Sequence, residues 1–403
     1  MRLFTCRQCR QPVFFENYHC ANCGANLGFV PAALEMFAFD SRSAADPHGG
    51  AWLPAAGMNG PALRPCANRM PHGLCNWMLD DADAQSLCRS CRLTRVIPSL
   101  DAAVNMDRWR QIERAKRRLL FTLLSLGLAP EPKTGPDDTQ GLEFLLLEPV
   151  ANGAAVFTGH DAGTITLNVA EADDDAREAT RVQLGEPART LLGHLRHEVA
   201  HYLQFRWING TPGMDRCRAL FGDEQADYAQ AVDRHYAEGP PQGWTQHFVS
   251  AYASAHPWED WAETCAHYLL VLDAVQTASA WGLSLSGGPA EAQPDTVDLT
   301  QHAPVSALVL QQWLPVAQFL NAMNRSIGLP DSYPYQLPPD VVTKMAGVHE
   351  LLAAAIAAES AADADADVAA DANLAPTDAD PGLPVLQAGA QCADRVLDSP
   401  RLQ

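Results

Sequence analysis

Two histidines that flank a glutamate, His197, Glu198 and His201, have the spacing of a metal-dependent active site. On a helix, residues four apart lie on one face, so both imidazoles can bind one metal ion. Glu198 then lies beside the open coordination position, where it can take a proton from a zinc-bound water and later pass it to a leaving amine. Zinc lowers the pKa of such a water to about 7, which makes hydroxide available at neutral pH. The pattern therefore predicts a zinc-dependent hydrolase with Glu198 as its catalytic base.

A third protein ligand for this zinc ion must come from another part of the chain. One known solution places a histidine six residues after His201, but Trp207 occupies that position. The other common solution is a glutamate from a second helix. Glu259 and Glu263 lie four residues apart and face the same way. We assign Glu259 as the zinc ligand and Glu263 as the acceptor of the free N–H of a ligand histidine, and the reverse assignment also fits the spacing.

Eight of the eleven cysteines lie in the first 91 residues, in two groups. The first group consists of two C-x-x-C turns and comprises Cys6, Cys9, Cys20 and Cys23. The second group contains one C-x-x-C turn and comprises Cys66, Cys75, Cys88 and Cys91. Four thiolates without an open coordination position predict a structural zinc ion in each group, with disulfides as the alternative. In the second group, His72 could replace one thiolate.

The charge of the chain is unevenly distributed. The net charge is -20, yet residues 1–120 hold 15 Lys/Arg and 10 Asp/Glu, which leaves -25 for the rest. An acidic body repels nucleic acids and anionic membranes, so we expect neither as a partner, although the basic N-terminal part leaves a nucleic-acid-binding ribbon as an alternative. The first residues leave no room for an apolar signal sequence, and we find no run of about 18 apolar residues. We therefore expect a cytoplasmic protein.

Composition divides the chain into four segments. Residues 1–28 are predicted to form a zinc ribbon, 29–100 an irregular segment with the second cysteine group, 101–345 a compact domain, and 346–403 a tail. The tail is rich in Ala and Asp and has few large apolar residues, which is typical of disorder. Short strands grouped before longer helices indicate the α+β class.

Periodic apolar residues within the compact domain predict the elements that must position the site. Helices are predicted over 107–126, 187–204 and 258–275, and a buried strand over 142–147. Two extended runs, 155–158 and 164–169, flank a glycine-containing turn and predict a hairpin. The two histidines fall on the second helix and the glutamate pair on the third. A working site therefore requires these two helices to bring their polar faces together.

Three further runs, 221–228, 235–236 and 248–263, surround the glutamate pair with a recognisable order of residues. Together with the ribbon and the His-Glu-x-x-His segment, they resemble a bacterial family of zinc-binding metallopeptidases that carry an N-terminal zinc ribbon. The resemblance covers about residues 1–345 and implies a mainly helical, zincin-like domain. It also implies a glutamate as third ligand, followed four residues later by an acid that orients a ligand histidine. An edge strand, here 164–169, would hold a peptide by strand addition.

We therefore interpret the chain as a metallopeptidase acting on a peptide or protein, with one catalytic zinc ion and one or two structural ones. The alternatives are a non-catalytic zinc-binding scaffold and a zinc-ribbon interaction protein. Glu198 favours catalysis, because a purely structural site has no use for a base beside its metal. The sequence carries no signal for the oligomeric state.

Overall fold

The computed structural model describes residues 2–40, 50–55, 59–70, 72–149, 156–286 and 304–373, with side chains through residue 361. Met1–Ala358 forms one compact unit. Glu359–Gln403 forms a second unit, of which the structure describes a helical part that ends at Asn373.

Short antiparallel hairpins build the cysteine-rich region. Its strands are β1 (Phe4–Thr5), β2 (Pro12–Val13), β3 (Asn26–Val30), β4 (Glu35–Phe39), β5 (Leu63–Pro65) and β6 (Met78–Asp80). They pair as β1 with β2, β3 with β4, and β5 with β6, all antiparallel. An isolated two-stranded hairpin is marginally stable in water, so these hairpins depend on what they pack against.

A small sheet and a set of helices form the rest of the described chain. The strands are β7 (Thr94–Val96), β8 (Glu143–Leu147), β9 (Gly159–Asp161) and β10 (Thr164–Asn168). The helices are α1 (Arg89–Arg92), α2 (Ala103–Ser125), α3 (Asp174–Leu184), α4 (Leu191–Leu203), α5 (Gly213–Phe221), α6 (Tyr228–Glu238), α7 (Pro257–Ala280), α8 (Val305–Ala307), α9 (Leu314–Ser326) and α10 (Pro339–Asn373). The sheet order is β7-β8-β10-β9, in which only β9 runs antiparallel to its neighbour. A cysteine-rich region followed by a mainly helical domain confirms the predicted α+β class.

The helix that carries the two histidines starts later than predicted. α4 begins at Leu191 rather than at residue 187. Thr190 defines this start, because its hydroxyl accepts a hydrogen bond of 2.9 Å from the N–H of Gly193. α4 then passes through Leu203 into a π-helical turn, Gln204–Ile208. The helix predicted over 258–275 is longer than predicted, because α7 spans Pro257–Ala280.

The hairpin before α4 is tighter than predicted, and this changes which strand lies at the sheet edge. Ala162 and Gly163 both have positive φ, 43° and 83°, so they form a two-residue turn and the first strand is β9 rather than 155–158. β10 then lies between β8 and β9. The prediction that 164–169 is an edge strand is therefore wrong, because β10 pairs with β8 along its full length. Within the part of the chain that the structure describes, the edge strand beside α4 is β9.

A cluster of aromatic rings joins the cysteine-rich region to the first long helix. Phe121 on α2 packs against Phe4, Phe15 and Phe29, with ring centroids 6.0, 5.5 and 5.8 Å away. All four side chains are buried and belong to one continuous apolar core that also includes residues of α4 and α7. The hairpins therefore share their core with the helical part of the compact unit.

We expect replacement of Phe121 by Ala to lower the free energy of unfolding by about 3–5 kcal/mol, because it removes the ring that three other aromatic side chains surround. Urea denaturation at fixed zinc concentration measures the effect. The matched control is Phe14→Ala, since Phe14 is 61% exposed and its loss is expected to change stability by no more than about 0.5 kcal/mol. Equal effects of the two substitutions would show that Phe121 does not anchor the hairpins.

The helix α10 combines an apolar composition with burial. Its segment Pro339–Ala361 is long and apolar enough to cross a membrane, since an 18-residue window within it has a mean hydropathy of 1.4. A core helix passes the same test, and α10 buries Val341, Met345 and Leu352 in the compact unit, so this is weak evidence for a span. The predicted tail, 346–403, starts inside this helix, and its residues 374–403 lie outside the described part.

Candidate metal centre and catalytic site

The site lies where α4 packs against α7. Trp261 on α7 is fully buried and donates its indole N–H to the carbonyl of Ala200 on α4 over 2.8 Å. His256 precedes α7 and accepts the N–H of Trp258 over 3.1 Å, with Pro257 in the first helical turn. His256 therefore caps the start of α7. The cap and the indole hydrogen bond fix the rotation of α7, and thereby the direction of its carboxylates.

Three ligand atoms from these helices converge on one point. The two Nε2 atoms of His197 and His201 are 3.2 Å apart, and Glu259 Oε2 lies 3.2 and 3.6 Å from them. A tetrahedral zinc ion with bonds of about 2.0–2.1 Å separates its ligand atoms by about 3.3 Å. All three side chains are buried, and Glu259 Oε2 has no hydrogen-bond partner. A buried carboxylate oxygen without a donor, facing two imidazole nitrogens, fits a metal ion between them.

Hydrogen bonds on the side away from the metal position orient two of these side chains, His197 and Glu259. Glu263 Oε1 accepts the Nδ1–H of His197 over 2.7 Å, and Ser250 donates to the other Glu263 oxygen over 2.6 Å. Tyr228 donates its hydroxyl to Glu259 Oε1 over 2.8 Å. With Nδ1 as the donor, His197 directs the lone pair of Nε2 towards the metal position. The geometry thus puts Glu259 in the candidate ligand set and Glu263 behind His197, as assigned from the sequence.

The pKa values of the two glutamates reflect this environment. Burial alone raises the pKa of Glu263, but the hydrogen bond and charge of His197 reverse the effect and hold it at about 2. Burial also raises the pKa of Glu259, while His197 and His201 together hold it well below its ordinary value. Both groups are therefore carboxylates at neutral pH, the form that binds a cation.

Glu198 lies beside this centre and belongs to a second hydrogen-bonded network. Its Oε1 is 3.2 Å from Nε2 of His194, and the other ring nitrogen of His194 bonds to Glu171. Glu171 in turn accepts a hydrogen bond from Thr158 over 2.5 Å and lies 3.5 Å from Arg189. Both ring nitrogens of His194 face carboxylates, so a cationic ring can donate to both Glu171 and Glu198. Arg189 also lies 3.1 Å from Nδ1 of His194.

The network sets the charge state of the candidate base. Burial lowers the pKa of His194, but the hydrogen bonds that its ring donates to Glu171 and Glu198 overcome this effect and raise the pKa to about 9. Burial raises the pKa of Glu198, yet His194 and His197 bring the net value below the ordinary one. Glu198 is thus an ionised carboxylate at neutral pH. Sequence reasoning gave His194 no catalytic role, although its position four residues before Glu198 places both on one face of α4.

The two cysteine groups also assemble as predicted. The sulfur atoms of Cys6 and Cys23 are 3.7 Å apart and those of Cys9 and Cys20 are 3.5 Å apart. In the second group all four sulfurs lie within 4.8 Å of one another. Zinc–sulfur bonds of about 2.3 Å in a tetrahedron give separations of about 3.8 Å, whereas a disulfide needs about 2.05 Å. The described cysteines are free thiols, which fits zinc rather than disulfides.

The structure does not place His72 with the second cysteine group. Its ring packs against Trp109 at a centroid distance of 5.6 Å, while the group consists of four buried cysteines. The substitution of a thiolate by His72, which the sequence left open, is therefore not supported by the geometry.

Comparison with known proteins gives two family matches. Residues 105–351 match the family described as "Putative zinc-binding metallo-peptidase", and residues 3–102 match a zinc-ribbon domain. Similar chains include uncharacterized proteins of Mycobacterium bovis and of Mycobacterium tuberculosis strains CDC 1551 and H37Rv. Each is 41% identical over 355 residues, which is 87% of this chain and 95% of the relative. No solved structure matches the chain significantly.

Proposed function

The chain belongs to the family described as "Putative zinc-binding metallo-peptidase", and on that basis we propose that it hydrolyses peptide bonds with Glu198 as general base. The observation that carries the proposal is the convergence of His197, His201 and Glu259 beside this buried carboxylate. The family match confirms the resemblance inferred from the sequence and supports zinc as the metal. The description of the family supports a peptide or protein as the proposed substrate.

The proposed mechanism divides the work among a few residues. His197, His201 and Glu259 would hold the zinc ion. When bound, zinc supplies Lewis acidity, which polarises the scissile carbonyl and makes water a nucleophile near neutral pH. Glu198 accepts a proton from the attacking water and returns it to the leaving nitrogen, for which its ionised state is required. His194 holds the Glu198 carboxylate through one oxygen and leaves the other for this proton transfer.

The strand β9 is the candidate site for an extended peptide. It is the sheet edge beside α4, so its outer backbone groups can pair with a substrate strand. The ring of His160 in β9 lies 6.2 Å from the ring of His201, which brings this edge close to the metal position. A peptide bound along β9 would therefore run past the three candidate ligands.

A non-catalytic zinc scaffold is the second candidate function. It would explain the three metal-binding groups, but it would not explain why Glu171, His194 and Glu198 form a mostly buried charged network. Burying charges is costly unless they are paired, and pairing alone does not repay the cost in stability relative to apolar residues. The network therefore favours catalysis.

Hydrolysis of a mixed peptide library tests the proposal. The full chain is assayed as purified, after removal of metal by a chelator, and after zinc is restored. We expect cleavage products that disappear on metal removal and return with zinc. A zinc-loaded protein that cleaves no peptide under any condition would support the scaffold instead.

We expect His194→Gln to lower kcat by about 10- to 100-fold with little change in KM or zinc content, because Glu198 loses a cationic donor that orients it. Initial rates and metal analysis of the purified variant measure both quantities. His247→Gln is the matched control, since His247 is an exposed histidine that pairs with Asp340. An unchanged kcat in His194→Gln would remove His194 from the mechanism.

We also propose a cytoplasmic location. Free thiols among the described cysteines suit a reducing compartment, where zinc rather than oxidation holds cysteine clusters together. Cell fractionation followed by immunodetection tests this, and recovery of the protein outside the cytoplasm would contradict it.

A further inference from the structure

The second cysteine group differs from the first in its environment. Its four cysteines are all at most 2% exposed, whereas Cys9 and Cys23 of the first group are partly exposed. A zinc ion bound by four thiolates carries a net charge of about -2. A charge in the first group can be solvated by water. In the second group the protein itself must compensate the charge, since an unpaired buried charge is strongly destabilising.

Two buried arginines lie in this region without carboxylate partners. Arg69 and Arg117 are 5% and 4% exposed, and a guanidinium remains protonated even when it is buried. Among the described residues, no carboxylate forms an ion pair with either of them. Arg69 donates to the carbonyls of Leu27 and Tyr18 over 2.9 and 3.0 Å. Two cations in the core therefore lack the partner that buried charges ordinarily have.

Of the two arginines, Arg117 has the less complete set of hydrogen bonds. Its Nη1 is buried and has no hydrogen-bond partner. The neighbouring buried cation of α2, Lys116, shows the ordinary arrangement, since it forms an ion pair of 2.9 Å with Glu113. A guanidinium left in this state costs stability unless another negative charge is close.

The negative groups around Arg117 include cysteines of the second group. Burial lowers the pKa of Arg117, while the charges of Cys75, Glu113 and Cys91 raise it, and the net result is an increase. Cys75 also acts on Arg69 in the same direction, although burial dominates there and lowers the pKa to about 10. The geometry places both arginines beside the second cysteine group. The backbone N–H of Arg69 donates to the carbonyl of Cys66 over 2.8 Å. The helix α1, which contains Cys91, packs against α2, which carries Arg117.

We propose that Arg117, assisted by Arg69, is the counter-charge of a zinc site formed by the second cysteine group. Arg117 lies on α2, and α2 packs against α4, the helix that carries the two site histidines. The zinc ion of the second group would then stabilise the helical domain as well as the hairpins. In this arrangement the zinc–thiolate group and the guanidinium stabilise each other, because removing either one leaves the other as an uncompensated buried charge.

Metal retention by the full chain tests this proposal without any substrate, so its outcome is independent of peptidase activity. The protein is loaded with ¹¹³Cd, whose NMR signals from four-thiolate sites differ from that of a site with nitrogen and oxygen ligands. Loss of each signal is followed during titration with a chelator. We expect Arg117→Met to weaken metal binding at one four-thiolate site by about 10- to 100-fold, and the other sites to be unaffected.

Two controls separate charge from packing. Arg114→Met removes an exposed arginine from the same helix and should leave all signals unchanged. Arg117→Lys keeps the positive charge and should retain much of the affinity. If Arg117→Met fails to fold, the comparison rests on Arg117→Lys and Arg117→Gln, of which only the second should lose the metal.

The Cys91→His background provides the charge-specific test. A site with three thiolates and one neutral imidazole carries about one negative charge less, so loss of the Arg117 charge should there cost less affinity than in the wild-type background. Equal retention by Arg117→Met and Arg114→Met would overturn the proposal. So would an equal loss of affinity in the wild-type and Cys91→His backgrounds.

Discussion

Replacement of Glu198 by Gln is expected to lower kcat/KM for peptide hydrolysis by about 10²- to 10⁴-fold, the usual contribution of a general acid–base group. Glutamine has nearly the same shape, but it cannot accept a proton from water at neutral pH. Glu198 is not in the group formed by His197, His201 and Glu259, so the zinc content should stay unchanged. The substitution therefore separates proton transfer from metal binding.

Initial rates on the best library peptide and metal analysis of the same sample measure this effect. Glu178→Gln is a matched control, because Glu178 is an exposed glutamate of α3 that pairs with Arg181. An active Glu198→Gln variant would mean that another group serves as the base. A variant that loses a zinc ion would mean that Glu198 supports the metal rather than the proton transfer.

A comparison of Glu259→Gln with Glu263→Gln should show the second large effect. Glu259 supplies one of the three candidate ligand atoms, and we expect its replacement to remove one zinc ion per chain after dialysis against a weak chelator. Glu263 is not in that ligand group: it accepts the N–H of His197 and the hydroxyl of Ser250, and an amide oxygen can still accept the N–H of His197. Its replacement should therefore reduce metal affinity or activity by about 10- to 100-fold without emptying the site.

Zinc titration of the two metal-free variants, with Glu171→Gln alongside them, measures these affinities. Glu171 touches neither His197 nor His201, so its replacement should leave the zinc affinity close to that of the wild type. A larger loss of zinc in Glu263→Gln than in Glu259→Gln would reverse the assignment of the two glutamates.

Local sequence patterns predicted much of the candidate site. The spacing of His197, Glu198 and His201 depends only on helix geometry, and the C-x-x-C turns depend only on short loops. The glutamate pair was also found from its spacing, but the spacing did not decide which of the two glutamates binds the metal. Glu259 and Glu263 both face α4, and only the rotation of α7, fixed by the Trp261 hydrogen bond and the His256 cap, distinguishes their positions.

The residues that hold Glu198 in position could not be predicted from local sequence patterns. His194 and Glu198 share a helix face, but Glu171 lies in the turn after β10, 23 residues before His194. No periodicity links such positions, because their contact depends on how the sheet packs against α4. The sheet edge was missed for a different reason: Ala162 adopts a positive φ, which is uncommon for a residue other than glycine, so the two-residue turn was not recognised.

Anomalous diffraction at the zinc absorption edge tests the central claim most directly, since it locates each zinc ion in a crystal of the full chain. We predict one peak bonded to Nε2 of His197, Nε2 of His201 and one oxygen of Glu259, with Glu263 hydrogen-bonded to Nδ1 of His197 and not bonded to the metal. A zinc-containing crystal with no peak between the two imidazoles, or with Glu263 rather than Glu259 bonded to the metal, would contradict the account.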